Sequence, residues 1–436
     1  MRLLIKGLSY TMKTMSIDVQ KWEMKNGLVV ATEVMPHLRS ASMGVWIKCG
    51  SRFEETKNTG ISHFIEHLLF KGTRKRSAAK IAEAIDSVGG QLNAFTEKEY
   101  VGFYAKVLDE HLPLAFDLVS DIVLHPIFPA DEVERERNVI FEEINMVEDS
   151  PQELILDLFM ESFWKNHPLG WPISGTKNSV AKISRNDVKK HFENNYIAGN
   201  TIVAVAGNIR HREVQKLAER YFSGLKRGVA ADLGKPPEVH SGRLIRRKAH
   251  LEQTHLCLGT TAPPIASEER FCSHLLSNIL GGGMSSRLFQ NIRERRGLVY
   301  SIYSMLNLYL DAGSLVVYAG AAHDKAAEVV DLVLKEFGSL REKLVSTQEL
   351  KRAKEYVKGS VMLSLESSSS RMTHLAQQLI YYRRFHKLEE ILNAVERVTA
   401  RDIRDLANRI FDDSTLALTA LSSRNGSDLN AVAMHV

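Results

Sequence analysis

Apolar and polar positions change period several times along this chain, and the changes mark out its elements. Short runs of β-branched, aromatic and other apolar residues, bounded by Gly and polar clusters, predict strands over 42–50, 91–95 and 100–107. Helical spacing covers 58–71 and 78–88, and long helices are expected from Leu112 and from Asp131. The same succession then returns. A strand is expected over 254–259, helices over 268–280 and 286–295, strands over 299–308 and 314–319, and long helices from Lys325 and Thr347. Between the two series lies a stretch rich in Gly and Pro, from Ser223 to Glu238, that carries no apolar period.

The repetition, with an offset of about 210 residues, predicts an α+β protein of two structurally similar domains. Each is expected to be an antiparallel-rich sheet packed against long helices. The expected boundaries are 16–225 for the first domain, 226–243 for the linker and 244–436 for the second. Length agrees, since 436 residues exceed one comfortable hydrophobic core.

Composition narrows the function classes. With 44% hydrophobic and 25% charged residues and a net charge of +5, the chain reads as an ordinary globular protein without a nucleic-acid-binding surface. The basic run from Arg243 to Lys248 reads as a solvated strand or linker edge. No apolar run is long enough to span a membrane. Cys49, Cys257 and Cys272 are odd in number and widely spaced, which argues for a reducing, cytoplasmic setting rather than a disulfide framework. The first 16 residues are basic with a broken apolar stretch and no convincing cleavage site, so they are not read as a signal peptide; either they are an extension, or Met15 is nearer the true start.

The chemistry concentrates in one helix. His63 and His67 stand four residues apart, so both imidazoles project from one helical face and can share a metal ion. Glu66 lies nearly on that face as a free carboxylate. This H-x-x-E-H order is the inverse of the commoner zinc-peptidase motif. Around the offset of the repeat, Ser273, Leu276 and Ser277 stand in the second half where the first has His63, Glu66 and His67, so only one half carries the set. A catalytic zinc needs a third protein ligand. In the helix from Asp131, Val139, Ile140, Ile144, Met146 and Val147 are expected to mark the buried side. Glu143 falls beside them and is the expected third ligand; Glu136, on the same face, is expected to orient a ligand histidine. Glu142 falls with the solvated residues.

These stretches, together with GVWIKCGSRFE, LNAFTEKEY and LLSNILGGGMSSRLFQNIRERRGLVYSIYS, make the chain resemble the pitrilysin-type inverted-zincin peptidases. That family includes the mitochondrial processing peptidase, its bacterial homologues, pitrilysin and insulin-degrading enzyme. The resemblance extends over nearly the whole chain, and the spacing from His67 to Glu143 is the family's spacing to its third ligand. It implies one Zn2+ per chain on His63, His67 and Glu143, with Glu66 as general base toward a zinc-bound water. It implies that the edge strand with Asn93, Ala94, Phe95 and Thr96 binds substrate by strand addition. It assigns Arg293 and Tyr300 of the second half to substrate contact near the scissile carbonyl. In a chain this short that pair must come from a partner, so a homodimer enclosing a chamber is expected. The implied activity is a zinc-dependent endopeptidase of processing type, acting on extended or unfolded peptides. The rival is a non-catalytic, peptide-presenting subunit of a heterodimeric processing peptidase. A dedicated processor of basic presequences would want acidic cleft residues, for which Glu97, Glu99, Glu136 and Asp149 are candidates.

Overall fold

A computed structural model describes residues 18–229, 232–424 and 427–436. The reading of the N-terminal extension therefore lies outside the described residues. A six-stranded sheet, with its inner strands β2, β3 and β6 buried on both faces, forms from β1 (Asp18–Glu23), β2 (Val29–Val34), β3 (Ser40–Ile47), β4 (Gln91–Thr96), β5 (Val101–Leu108) and β6 (Thr201–Gly207). Their order is β1-β2-β6-β3-β5-β4. A five-stranded sheet follows from β7 (Gly242–Arg247), β8 (Thr254–Thr261), β9 (Val299–Leu308), β10 (Gly313–Ala321) and β11 (Ala417–Ser422), in the order β7-β11-β8-β10-β9. Apart from β1, the two orders correspond strand for strand. The one parallel pair in each sheet also corresponds: β2 with β6, and β7 with β11. The basic run at Arg243 is thus an edge strand, paired on one side only.

The first half contributes helices α1 (Ile61–Leu69), α2 (Ala78–Asp86), α3 (Leu112–Leu124), α4 (Ala130–Asp149), α5 (Pro151–Phe163), α6 (Lys177–Lys182), α7 (Arg185–Asn195) and α8 (His211–Phe222). The second contributes α9 (Arg270–Gly281), α10 (Ala326–Glu342), α11 (Thr347–Ser364), α12 (Ser368–Tyr382), α13 (Leu388–Arg397) and α14 (Ala400–Ile410). The helix expected over 286–295 contains a π-helical segment, Phe289–Glu294. One face of each sheet packs on helices of its own half. Phe64, Leu68, Phe116 and Val119 fill the first core, and Leu275, Leu276, Phe337 and Phe411 the second.

The opposite faces are covered crosswise. Met372, Leu375, Ala376 and Leu379 of α12 pack on Trp46, Ile202 and Ala204 of the first sheet. Leu154, Ile155 and Phe159 of α5 pack on Cys257, Val316 and Leu421 of the second. The approach of α5 needs Gly259 on β8, where a Cβ would stand 2.5 Å from the Phe159 ring. Each half therefore lends the other one helix. A buried ion pair adds to this exchange: Arg52 bonds Glu99 at 2.8 Å within the first half and both carboxylate oxygens of Asp311 in the β9–β10 turn at 2.6 Å.

Candidate metal centre

Helix α1 starts where Gly60 adopts φ 95°, a conformation favourable to glycine, with Ser174 O only 2.6 Å from where a Cβ would lie. The buried Glu54 carboxylate accepts the Gly60 and Ser62 N–H groups, both at 2.8 Å, and so caps the helix. Burial pushes the Glu54 carboxyl up to about 7, against the pull of those bonds. Ile61, Phe64, Ile65, Leu68 and Leu69 are buried, which fixes the rotation of the helix. His63, Glu66 and His67 are left facing a cleft between α4 and β4.

In that cleft His63 Nε2 and His67 Nε2 lie 3.3 Å apart. Glu143, carried in by α4, places Oε2 3.6 Å from His63 Nε2 and Oε1 3.5 Å from His67 Nε2. One donor atom from each residue falls within 4.8 Å of the others. Glu136 is one of the most buried acids of α4. Its Oε2 accepts from His67 Nδ1 at 3.1 Å, while Lys71 Nζ holds its Oε1 at 2.7 Å. A proton held on Nδ1 leaves the His67 lone pair on Nε2. Burial, then His67, pushes His63 down to about 4, so this imidazole has a lone pair to offer. Two imidazole nitrogens and a carboxylate thus converge with lone pairs, and one cation can satisfy all three. The donor set is one that zinc takes in peptidases.

Glu66 is not part of that triangle. Its Oε2 accepts from Thr96 Oγ1 of β4 at 2.6 Å. Burial raises its carboxyl above the ordinary range, opposed first by the Thr96 bond; a bound cation would draw it back.

The structure corrects several details of the sequence reading. Val139 and Met146 were expected on the buried side of α4 but are 43% and 70% exposed. The buried stripe is Val133, Glu136, Ile140 and Ile144, which leaves Glu143 half-buried and puts Val139 and Met146 one turn to either side of it. Glu142 is exposed, as expected. Along β4, Thr96 turns toward Glu66, whereas Phe95 packs against Tyr100 and Tyr104 on the other face of the sheet. Asn93 holds the Ala94 N–H through Oδ1 at 2.8 Å. Arg293 and Tyr300 lie together, with the guanidinium 5.6 Å above the phenol ring, and Tyr300 is 77% exposed. No hydrogen bond, ion pair or ring contact among the described residues joins that pair to the His63 cluster. Of the four candidate cleft acids, Glu99 is engaged by Arg52 and Glu136 by His67 and Lys71.

The sequence of the cluster-bearing half, over residues 29–177, matches the family model for insulinase, peptidase family M16, and residues 182–357 match the model for the peptidase M16 inactive domain. An uncharacterized zinc protease of Bacillus subtilis, YmxG, is 38% identical over 405 residues, which is 93% of this chain and 98% of the relative. The chain belongs to peptidase family M16. An uncharacterized zinc protease of Mycobacterium tuberculosis is 41% identical over 389 residues, 88% of this chain and 89% of its own. This M16 chain is accordingly a zinc protease. Two solved structures share its fold. A protease from Helicobacter pylori superposes with a TM-score of 0.88 at 23% identity, over 93% of this chain and 99% of that one. A peptidase M16 inactive domain from Pseudomonas fluorescens superposes with a TM-score of 0.87 at 21% identity, over 94% and 99%. Among the described residues no helix is long and apolar enough to cross a membrane.

Proposed function

We propose that this M16 protease is an endopeptidase for extended or unfolded peptides, working as a homodimer whose two chains complete each other's sites. The observation that carries this reading is the position of β4. It is the last strand of its sheet, so one edge is open to a further strand, and Thr96 ties it directly to Glu66. A peptide added there by backbone hydrogen bonds would run past the His63–His67–Glu143 cluster with little demand on its sequence.

His63, His67 and Glu143 would hold the zinc, with Glu136 and Lys71 keeping His67 oriented. Bound zinc supplies Lewis acidity, polarising the scissile carbonyl and lowering the pKa of water. Glu66 acts as base and then acid. Thr96 occupies Oε2, so Oε1 takes the proton from the attacking water and returns it to the leaving amine. Asn93 to Thr96 hold the substrate backbone in register. Arg293 and Tyr300 of the partner chain stabilise the developing oxyanion. The exposed Tyr300, with the Arg293 guanidinium over its ring, suits such a role. Exposed Val139 and Met146 flank Glu143 and give the chamber an apolar wall. Of the four acids that a preference for basic presequences would draw on, Glu99 and Glu136 are already paired. The buried, free cysteines suit a reducing cytoplasm.

Complementation tests the dimer. A Glu66→Gln chain lacks the base but keeps Arg293 and Tyr300; an Arg293→Ala/Tyr300→Phe chain has the reverse defect. Mixing the two nearly inactive proteins under subunit exchange should restore at most about one quarter of wild-type activity per protomer, the share set by random pairing in a two-fold assembly. Absence of recovery, with exchange confirmed by tagged subunits, would mean that each chain completes its own site.

A further inference from the structure

A second cavity lies behind the first sheet, away from the metal centre. It holds about 1100 Å³ between the back of β4 and β5 and the helices α9, α11 and α12. Phe95 and Tyr104 line the first-half wall. Thr96, the next residue along β4, faces Glu66 on the other side of the sheet, so the cavity is separate from the zinc cluster.

The opposite wall carries charge without a counterion. Arg270, at the start of α9, is only 6% exposed. Its guanidinium lies 4.2 Å from the Phe271 ring centre and 4.9 Å from that of Tyr382, and its one hydrogen bond goes to Ser267 O at 2.8 Å. Among the described residues no carboxylate lies within ion-pair distance of it. A cation buried to this degree usually has an anionic partner, because removing it from water is costly. The wall continues through Tyr382 to His386, whose ring meets the Tyr382 ring edge-on at 4.9 Å. His386 donates its backbone N–H to Gln378 Oε1, and Gln378 Nε2 lies 3.3 Å from His374 Nδ1. The His386 side chain is only 10% exposed, and its Nε2 is buried with no hydrogen-bond partner. Its Nδ1 lies 3.2 Å from Arg384 Nη2 and 3.6 Å from Glu390, both outside the cavity lining. Among the residues lining the cavity the sole carboxylate is Glu97, on the far wall, where burial raises it toward the neutral form. Arg270 is the one Lys or Arg side chain of the lining, and burial lowers His274, His374 and His386.

We propose that this cavity is a binding site for a small organic anion, with its oxyanion group on Arg270 and His386 Nε2 and its apolar or aromatic body against the surrounding rings. The charge requires an oxyanion and the rings favour an apolar body. A carboxylate and a phosphate monoester both meet these demands. Binding here is independent of zinc and of the peptidase reaction.

Calorimetric titration of the intact protein tests the site with three probes: N-acetylphenylalanine, its uncharged amide, and inorganic phosphate. The acid should bind at least tenfold more tightly than the amide, since a hydrogen bond to a charged group is worth about 1.5–3 kcal/mol. Arg270→Met should abolish that preference, and Arg270→Lys should retain part of it. His386→Asn, which leaves the guanidinium in place, should weaken the acid severalfold and serves should Arg270→Met fail to fold. Glu143→Gln, expected to lose the zinc while keeping its fold, should bind the acid as wild type does, separating this site from the metal centre. Phosphate that competes with the acid would assign recognition to the oxyanion alone; phosphate that does not would assign it to a carboxylate with its apolar body. Equal affinity for acid and amide, no binding of either, or binding unchanged in both Arg270→Met and His386→Asn would overturn the proposal.

Discussion

Glu66→Gln will lower kcat/KM for peptide cleavage by about 10²–10⁴-fold, the usual contribution of a positioned general base, while zinc content and unfolding midpoint stay at wild-type values. The separation follows from geometry. Glu66 stands outside the triangle of His63, His67 and Glu143, so its loss removes no ligand. Its one side-chain hydrogen bond, from Thr96, can still be accepted by the amide oxygen of glutamine. What glutamine cannot do is take a proton from water. The variant is read by peptide hydrolysis, metal analysis and thermal unfolding on the same sample. Near-wild-type turnover would remove Glu66 from the reaction.

Arg52→Met should destabilise the fold by about 3–5 kcal/mol, the cost of breaking a buried ion pair from one side. Arg52 and Glu99 have side chains 1% and 0% exposed, and Asp311 completes the triad from the second half. Methionine fills the volume but leaves two carboxylates facing each other across the junction of the halves. Burial already raises the Glu99 carboxyl, against the pull of the Leu310 N–H and of Arg52. Adding Glu99→Gln and Asp311→Asn to Arg52→Met should recover part of the loss, because it removes the stranded charges. Chemical denaturation followed by fluorescence measures the effect. An unchanged midpoint would mean that the triad contributes nothing to holding the halves together.

Much of the architecture was legible because local pattern and global role coincide. In α1 the residues that must pack, Phe64, Ile65 and Leu68, and those that carry chemistry, His63, Glu66 and His67, share one short helix, so period and motif reinforce each other. Strand β9 ends at the expected residues because alternation and flanking turns agree. What escaped depends on contacts distant in sequence or not encoded by period. Glu54 reaches the start of α1 from an irregular loop. Lys71, in the turn after α1, meets Glu136 of α4. The crosswise packing of α5 and α12 leaves no local trace, since an apolar helical face does not say which sheet it will cover. In α4 the rule that an apolar residue points inward predicts the wrong side for two positions. Val139 and Met146 break that rule beside Glu143, at the cleft proposed to receive substrate, where an exposed apolar side chain can serve binding rather than folding. The inward position instead belongs to Glu136, a charge made tolerable by His67 and Lys71.

Zinc content of two adjacent glutamate variants tests the metal assignment most directly. Glu143→Gln removes a carboxylate that lies 3.5–3.6 Å from both histidine nitrogens, whereas Glu142→Gln alters an exposed side chain on the same helix. After dialysis against a competing chelator, wild type and Glu142→Gln should each retain about one zinc per chain, and Glu143→Gln should lose most of it while keeping its fold. Equal retention by the two variants, or loss from Glu142→Gln instead, would contradict a zinc site built on His63, His67 and Glu143.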